Sequence, residues 1–564
     1  MNIRYEHAQT PLPDALNRAG YTSLLDFIDR TFALYAQRPA FTSFGRTLNF
    51  AELDSLSAAF AVHLQQQAQL EPGDRIAIQL PSLIQYPVVL FGALRAGLVV
   101  VNTNPLYTAD EMEHQFRDAG VKAVVIHKSM AHKLEKILPR TAIRHIIVTQ
   151  VGDLHGFVKR NLLNAAIKYL KRLEPSFYLP GALGLRDILM RHVGERPRPV
   201  QPQLQDLAVL QYTGGTTGRA KGAMLTHANL LANCLQGCDS INRHGSEWAE
   251  TVVLPLPLYH IYAFTVAQII MASGGHSVLI ANPRDVDGLI RELGHWRMSA
   301  FIGLNTLFNV LCDRERFRQL DFSNLKLTLS GGMALTRDAA QRWQAVTGCP
   351  VVEAYGLTET SPAVAINPTD AIQLGTIGTP LAFTEIKVID EDGNPVADGT
   401  PGNLCVRGPQ VMAGYWQQPQ ETRNSMTDDG YFITDDIAVR QPDGYLRIVD
   451  RAKDVIIVSG FNVYPNEVED VVCAHPDIIE CAAIGVTDSD SGERVKLFVV
   501  SRNPALDRAG VRDWCREHLT SYKIPRDVEF VAELPKSPVG KVLRKDLRRH
   551  EESRRTTPKS EAQG

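Results

Sequence analysis

Up to about residue 380, short runs of β-branched and apolar residues alternate with longer stretches of helical periodicity, and few architectures accept that rhythm. Residues 74–79, 97–102 and 121–127 read as strands and 83–96 as an apolar helix. Strand patterns return at 251–254, 277–280, 300–303, 325–330 and 351–355. Runs this continuously apolar suit strands covered on both faces, so the spacing predicts an α/β fold of βαβ layers on mostly parallel sheets. From residue 384 the pattern becomes strand and turn, as in Glu385-Ile386-Lys387-Val388-Ile389 followed by Asp390-Glu391-Asp392-Gly393-Asn394-Pro395. A small antiparallel β subdomain is expected there. After Asp450-Arg451-Ala452-Lys453-Asp454 come more strands, a helix opening at Pro465 and a charged end, enough for a separate small α+β domain.

Composition excludes several classes. The 564 residues, 44% apolar and 21% charged, can bury several cores, and a net charge of −3 lacks the basic excess of a dedicated nucleic-acid binder. Eight cysteines are scattered singly, except that Cys234 and Cys238 lie four apart in an apolar helical pattern, so neither a disulfide framework nor a zinc site is expected. A reducing cytoplasm fits that usage, and the first residues lack the order of a secretory signal. Residues 252–283 contain no Asp, Glu, Lys or Arg, yet Pro255, Pro257, Gly274, Gly275 and His276 interrupt them. Strand, helix and strand fit better than a membrane span.

Residues 212–227, Tyr-Thr-Gly-Gly-Thr-Thr-Gly-Arg-Ala-Lys-Gly-Ala-Met-Leu-Thr-His, hold four glycines, four threonines and a lysine. They follow an apolar strand pattern and precede a helical one, so they are expected as a loop between a strand and a helix. Glycines let backbone N–H groups converge, and hydroxyls and a lysine add donors, which suits a polyphosphate; a plain flexible loop is the alternative. The P-loop pattern is absent, because Arg219 and Ala220 separate Gly218 from Lys221. No Gly-x-Ser-x-Gly nucleophile motif occurs either, which disfavours a lipase or thioesterase.

Residues 212–222 resemble the phosphate-binding signature of the adenylate-forming superfamily. Further motifs follow in that family's order: Tyr355-Gly356-Leu357-Thr358-Glu359-Thr360, Thr434-Asp435-Asp436, Asp450-Arg451-Ala452-Lys453-Asp454, and Pro535-Lys536-Ser537-Pro538-Val539-Gly540-Lys541. The resemblance spans residues 20–550 and is nearest to bacterial long-chain fatty acid–CoA ligases. It implies ATP, Mg2+ and coenzyme A as cofactors and a long-chain fatty acid as substrate, joined through an acyl-adenylate. Loading of a carrier-protein thiol, or a non-catalytic sensor of fatty acid or nucleotide, are the alternatives.

The resemblance also implies roles for residues. Thr213, Gly214, Gly215, Thr216, Thr217, Gly218 and Lys221 would hold the β- and γ-phosphates. Tyr355, with Gly356 beside it, would stack on adenine, Thr358 would contact phosphate, and Glu359 would ligate Mg2+. Asp436 and Arg451 would hold the ribose, and Lys541 would bridge the attacking carboxylate and the α-phosphate. His260, Gly303, Gly331 and Gly332 would line the acyl pocket, the glycines leaving room for the alkyl chain, and Gly460 the pantetheine path. Lys453 would be the hinge, unless it is an ordinary exposed linker lysine. The family usually has Thr-Gly-Asp where this chain has Thr434-Asp435-Asp436; a positive φ there would strain the aspartate. The expected division is a large N-terminal domain over 1–450, a hinge at 451–454, a small mobile C-terminal domain over 455–550, and a charged, disordered tail over 551–564.

Residues 157–173 carry Lys159, Arg160, Lys168, Lys171 and Arg172, no acid, and apolar residues that mostly share one helical arc. Such a helix either lies on anionic lipid at the inner face of the cell membrane or packs on the core. Self-association as a homodimer is left open.

Overall fold

The computed structural model describes residues 20–213, 220–242, 250–459, 461–488, 491–537 and 541–556. Its largest sheets are those the alternation predicts. A seven-stranded sheet runs in the order Leu183–Gly184, His145–Thr149, Val121–His127, Arg75–Gln79, Val99–Asn102, Leu207–Thr213, Lys221–Thr226, parallel up to its last pair. A nine-stranded sheet has a parallel centre of Val351–Gly356, Leu327–Ser330, Ala300–Gly303, Thr251–Leu254, His276–Leu279 and Pro39–Ser43. Helices Phe50–Gln66, Gln85–Arg95, His227–Asn242 and Ile261–Ala272 contribute to one core together with strands of both sheets. Ile261–Ala272 is buried from Ile261 through Met271, as a helix apolar on every side must be. With the strands on either side it accounts for the uncharged stretch 252–283, and among the described residues no helix is long and apolar enough to cross a membrane.

Residues 207–227 depart from expectation. They form a hairpin in which Leu207–Thr213 pairs antiparallel with Lys221–Thr226, Thr213 opposite Lys221, and the helix starts only at His227. Residues 222–225 are all buried, and residues 413–416 run along their outer edge: the Met224 amide donates to the Gly414 carbonyl at 2.9 Å and that of Trp416 to Gly222 at 2.8 Å. Pairing on both edges holds 221–226 extended where a loop was expected. The expected step from strand to helix is thus interrupted by a second strand, and residues 214–219 between the paired strands lie outside the described residues.

A four-stranded antiparallel sheet of Glu385–Ile389, Gly402–Arg407, Phe432–Arg440 and Leu446–Arg451 follows. Beyond it, Ile456–Val458, Phe461–Val463, Ile478–Asp488, Gly492–Ser501 and Asp527–Phe530 make a five-stranded sheet. With helices Pro465–Cys473 and Arg508–His518 it encloses its own core, which includes Val463, Val468, Leu497, Val511 and Cys515. The last helix spans Arg544–Thr556, so the first residues of the expected disordered tail are ordered. Glu551 pairs with Lys496 at 2.5 Å and Arg554 with Glu529 at 2.7 Å, tying that helix to the sheet. The eight cysteines are free thiols, and among the described residues no group of three or more His, Cys, Asp or Glu could hold a metal ion.

Candidate active site

Thr434, Asp435 and Asp436 lie where two strands fall out of step. Asn403 pairs with Ile437 but Cys405 with Ile433, so two extra residues bulge from the longer strand. The Thr434 hydroxyl donates to the Leu404 carbonyl at 2.8 Å and accepts the Asp436 amide at 3.1 Å, and Asp435 takes φ 59°. The bulge turns Asp436 inward, where it is buried, and leaves Asp435 exposed. The expected glycine position is thus left-handed, and an aspartate occupies it.

Around Asp436 the predicted residues converge. Tyr355, near the end of strand Val351–Gly356, donates its hydroxyl to Asp436 Oδ2 at 2.6 Å. Arg451 pairs with Asp436 in the ladder, and its Nε lies 3.3 Å from Asp436 Oδ1. Gly356 meets a backbone: a Cβ there would lie 1.9 Å from the Pro362 carbonyl oxygen, so only glycine closes this turn. The turn carries Thr358–Thr360 as one 3-10 turn and so presents Glu359.

Glu359 is buried and accepts from the Tyr415 hydroxyl at 2.9 Å. Burial pushes its carboxyl above the usual range, against the pull of Tyr415 and Arg451. A buried hard oxygen donor whose negative charge is disfavoured suits a divalent cation such as Mg2+. Lys221 Nζ sits over the other side of this group, 5.3 Å from the Tyr415 ring centroid, and pairs with Glu421. Sequence reasoning did not find Tyr415 or Glu421. Gly414-Tyr415-Trp416, a glycine before two aromatics, was the available signal, but only pairing with 222–224 shows that Tyr415 joins Lys221 to Glu359.

Lys541 is partly buried beside Arg451, Asp436 and Lys453, and burial with the Arg451 charge pushes its ammonium down to about 8. His260 caps helix Ile261–Ala272, its Nδ1 accepting the Tyr262 amide at 3.3 Å. Burial and the neighbouring Lys541 push its imidazole down to about 4, so it is neutral at pH 7. Lys453, on the 3-10 turn Ala452–Asp454, is exposed. Although the side chain reaches solvent, the chain packed around it displaces part of its water, and this partial desolvation together with the Arg451 charge lowers its ammonium. Thr213 ends its strand opposite Lys221. Gly214, Gly215, Thr216, Thr217, Gly218 and Gly460 lie outside the described residues.

The pocket glycines divide. Gly331 and Gly332 face Tyr262: a Cβ on Gly331 would lie 3.0 Å from its Cζ, and one on Gly332 4.0 Å from its Cδ1. The buried Tyr262 hydroxyl has no hydrogen-bond partner. Gly303, expected to leave room for an alkyl chain, instead faces filled space. A Cβ there would lie 2.5 Å from Phe308 Cε1 and 3.0 Å from Phe301 Cε1, within the aromatic cluster of Phe301, Phe308 and Trp343.

The chain is similar to known proteins over most of its length. Residues 28–416 match the family model described as AMP-binding enzyme, and 467–541 that of the AMP-binding enzyme C-terminal domain. The chain is 50% identical over 541 residues to a long-chain-fatty-acid–CoA ligase of Escherichia coli O157:H7, covering 95% of this chain and 96% of that protein. It is 45% identical over 546 residues to a protein of the same name from Haemophilus influenzae, covering 96% and 97%. Among solved structures, ATP-bound MatB from Rhodopseudomonas palustris superposes with a TM-score of 0.80 at 30% identity, over 93% of this chain and 98% of that one. By its folded layers, the convergence on Asp436 and these near full-length matches, the chain belongs to the AMP-binding enzyme family.

Proposed function

We propose that this protein joins a long-chain fatty acid to coenzyme A at the expense of ATP, through an acyl-adenylate. The observation that carries the reading is the meeting of Lys541, Arg451, Asp436, Tyr355 and Glu359 in one site, in a chain half identical to long-chain-fatty-acid–CoA ligases. A carboxylate carbon resists attack because its leaving group would be oxide. When the carboxylate oxygen attacks the α-phosphorus, pyrophosphate leaves and that oxygen becomes part of AMP, a good leaving group. The coenzyme A thiol, losing its proton, then attacks the acyl carbon, and AMP departs.

The first step brings an anion against a polyanion, so fixed positive groups must meet the developing charge. Lys541 stands for the carboxylate and α-phosphate, and Lys221 with Thr213 and the 214–218 loop for the phosphates that leave. Asp436 accepts from the ribose hydroxyls with Arg451 beside it, and the Tyr355 ring offers its face to adenine. Mg2+, when bound, supplies charge neutralisation on the phosphates, and Glu359, oriented by Tyr415, is the residue to hold it. Neutral His260 with Gly331, Gly332 and Tyr262 borders the acyl end. Residues 451–454 serve as a hinge about which 455–550 turns between the two steps, withdrawing Lys541 so that coenzyme A can enter past Gly460.

The reading is tested by supplying ATP, Mg2+, coenzyme A and fatty acids of graded length, and measuring AMP and thioester for each. Both should rise together, most with long chains; no AMP release with any acid overturns the proposal.

The substrate's insolubility gives residues 157–173 a place in it. No residue of helix Phe157–Ala165 or of the π-turn Ala166–Leu170 is buried, and Phe157, Leu162, Tyr169 and Leu170 are 72%, 67%, 70% and 82% exposed. An apolar surface of this size interleaved with five basic residues fits an anionic bilayer at the inner face of the cell membrane. Neutralising Lys168, Lys171 and Arg172 together should abolish co-sedimentation with vesicles rich in phosphatidylglycerol and leave turnover of a short, soluble acid unchanged. Undiminished sedimentation would remove the membrane from the proposal.

A further inference from the structure

Arg544 lies three residues after Lys541, at the start of the last helix. The residues between form the base of a small hairpin: the Leu543 amide donates to the Pro535 carbonyl at 2.8 Å and the Ser537 amide to the Lys541 carbonyl at 2.7 Å. The Arg544 guanidinium, largely buried, reaches four partners. Its Nε and Nη2 meet Glu469 at 3.1 and 2.7 Å, Nη2 donates to Asn466 Oδ1 at 2.6 Å, and Nη1 lies 3.4 Å from Asp454 and 3.5 Å from Asp450. Arg548, one turn on, also pairs with Asp454, at 2.7 Å.

These partners sit on both sides of Lys453. Asp450 belongs to strand Leu446–Arg451, whereas Asp454 ends the turn after it and Asn466 and Glu469 belong to helix Pro465–Cys473. Asp450 is fully buried, accepting the Arg451 amide at 2.8 Å and the Asn466 amide at 2.7 Å. A buried carboxylate so placed is costly without a counter-charge, and Arg544 is the cation that reaches it. Rotation at Lys453 would carry Asp454, Asn466, Glu469 and Arg544 together but leave Asp450 behind. The contacts to Asp450 therefore belong to one pose, the one in which Lys541 neighbours Asp436.

We propose that Arg544 is a positioning residue for adenylation: bound at once to Asp450 before Lys453 and to Asp454 and Glu469 after it, it holds Lys541 at the site and lets go of Asp450 when the C-terminal unit turns. This rests on the two-step reading above, and the two can fail separately. Fatty-acid-dependent exchange of pyrophosphate into ATP reports adenylation; conversion of a supplied acyl-adenylate by coenzyme A reports the second step. Lys541→Ala should abolish exchange and spare the second step; equal loss of both overturns the two-step reading itself. Arg544→Gln and Asp450→Asn should each lower exchange about tenfold or more while the second step stays within about twofold. If Lys541→Ala separates the steps but these variants lower both equally, or neither, Arg544 does not position Lys541. Should Arg544→Gln not fold, Arg544→Lys decides, since it keeps the charge but loses the fork that spans three carboxylates.

Discussion

Asp435 is the residue at which this chain most plainly departs from its family's pattern, and its backbone gives the departure a cost. At φ 59° a non-glycine residue carries strain of about 1 kcal/mol, somewhat less for aspartate than for most. Its carboxylate also adds to the negative field felt by Lys453 and by Tyr415, which on the proposed reading stand beside the bound ATP. Asp435→Gly should therefore raise the melting temperature slightly and lower the KM for ATP; a scanning melt and initial rates over ATP concentration check both. Lys541 supplies a second outcome at this scale. Its ammonium is depressed to about 8, so it is charged below that pH and loses its charge above it. Adenylation kcat/KM in the free enzyme should fall as pH rises through 8, and the limb should vanish from the residual activity of Lys541→Arg, whose guanidinium stays charged.

At the scale of elements, the strands were legible and the hairpin was not. Residues 121–127, 251–254 and 300–303 were expected as strands and are strands at those bounds, because parallel strands buried on both faces leave a mostly apolar run. Residues 221–226 defeated the same logic, since their partners on the outer edge lie nearly two hundred residues away at 413–416. Gly303 shows a related limit: a glycine in an apolar strand signals close approach without naming what approaches. Here it is the ring of Phe308. Gly303→Ala should cost about 1–3 kcal/mol in denaturant unfolding through overpacking. Chain-length preference should stay as it is, which a fatty-acid panel at matched folded concentration checks.

At the scale of the whole molecule, two cores meet near one short turn. The cluster around Val463, Leu497 and Cys515 is separate from that shared by the two large sheets, and Lys541, next to Val542 on the other face of the small sheet, lies beside Asp436 of the four-stranded sheet. On the proposed two-step reading, in which Lys541 serves one step and is absent from the next, residues 451–454 would turn between them. Lys453→Pro, which fixes φ near −65° and removes a backbone donor, should keep pyrophosphate exchange and lower thioester formation about tenfold or more. Measuring the two half-reactions side by side checks it.

What the sequence determined by itself was the layered α/β class, the family, and which residue types carry the chemistry, because periodicity, glycine positions and motif order are local properties of the chain. Only the tertiary structure decided that Tyr415 links Lys221 to Glu359, that Gly303 faces an aromatic cluster, and that Arg544 meets carboxylates on both sides of Lys453. Each depends on side chains far apart in sequence sharing one buried volume, where packing and the desolvation of charge select partners that no local pattern records.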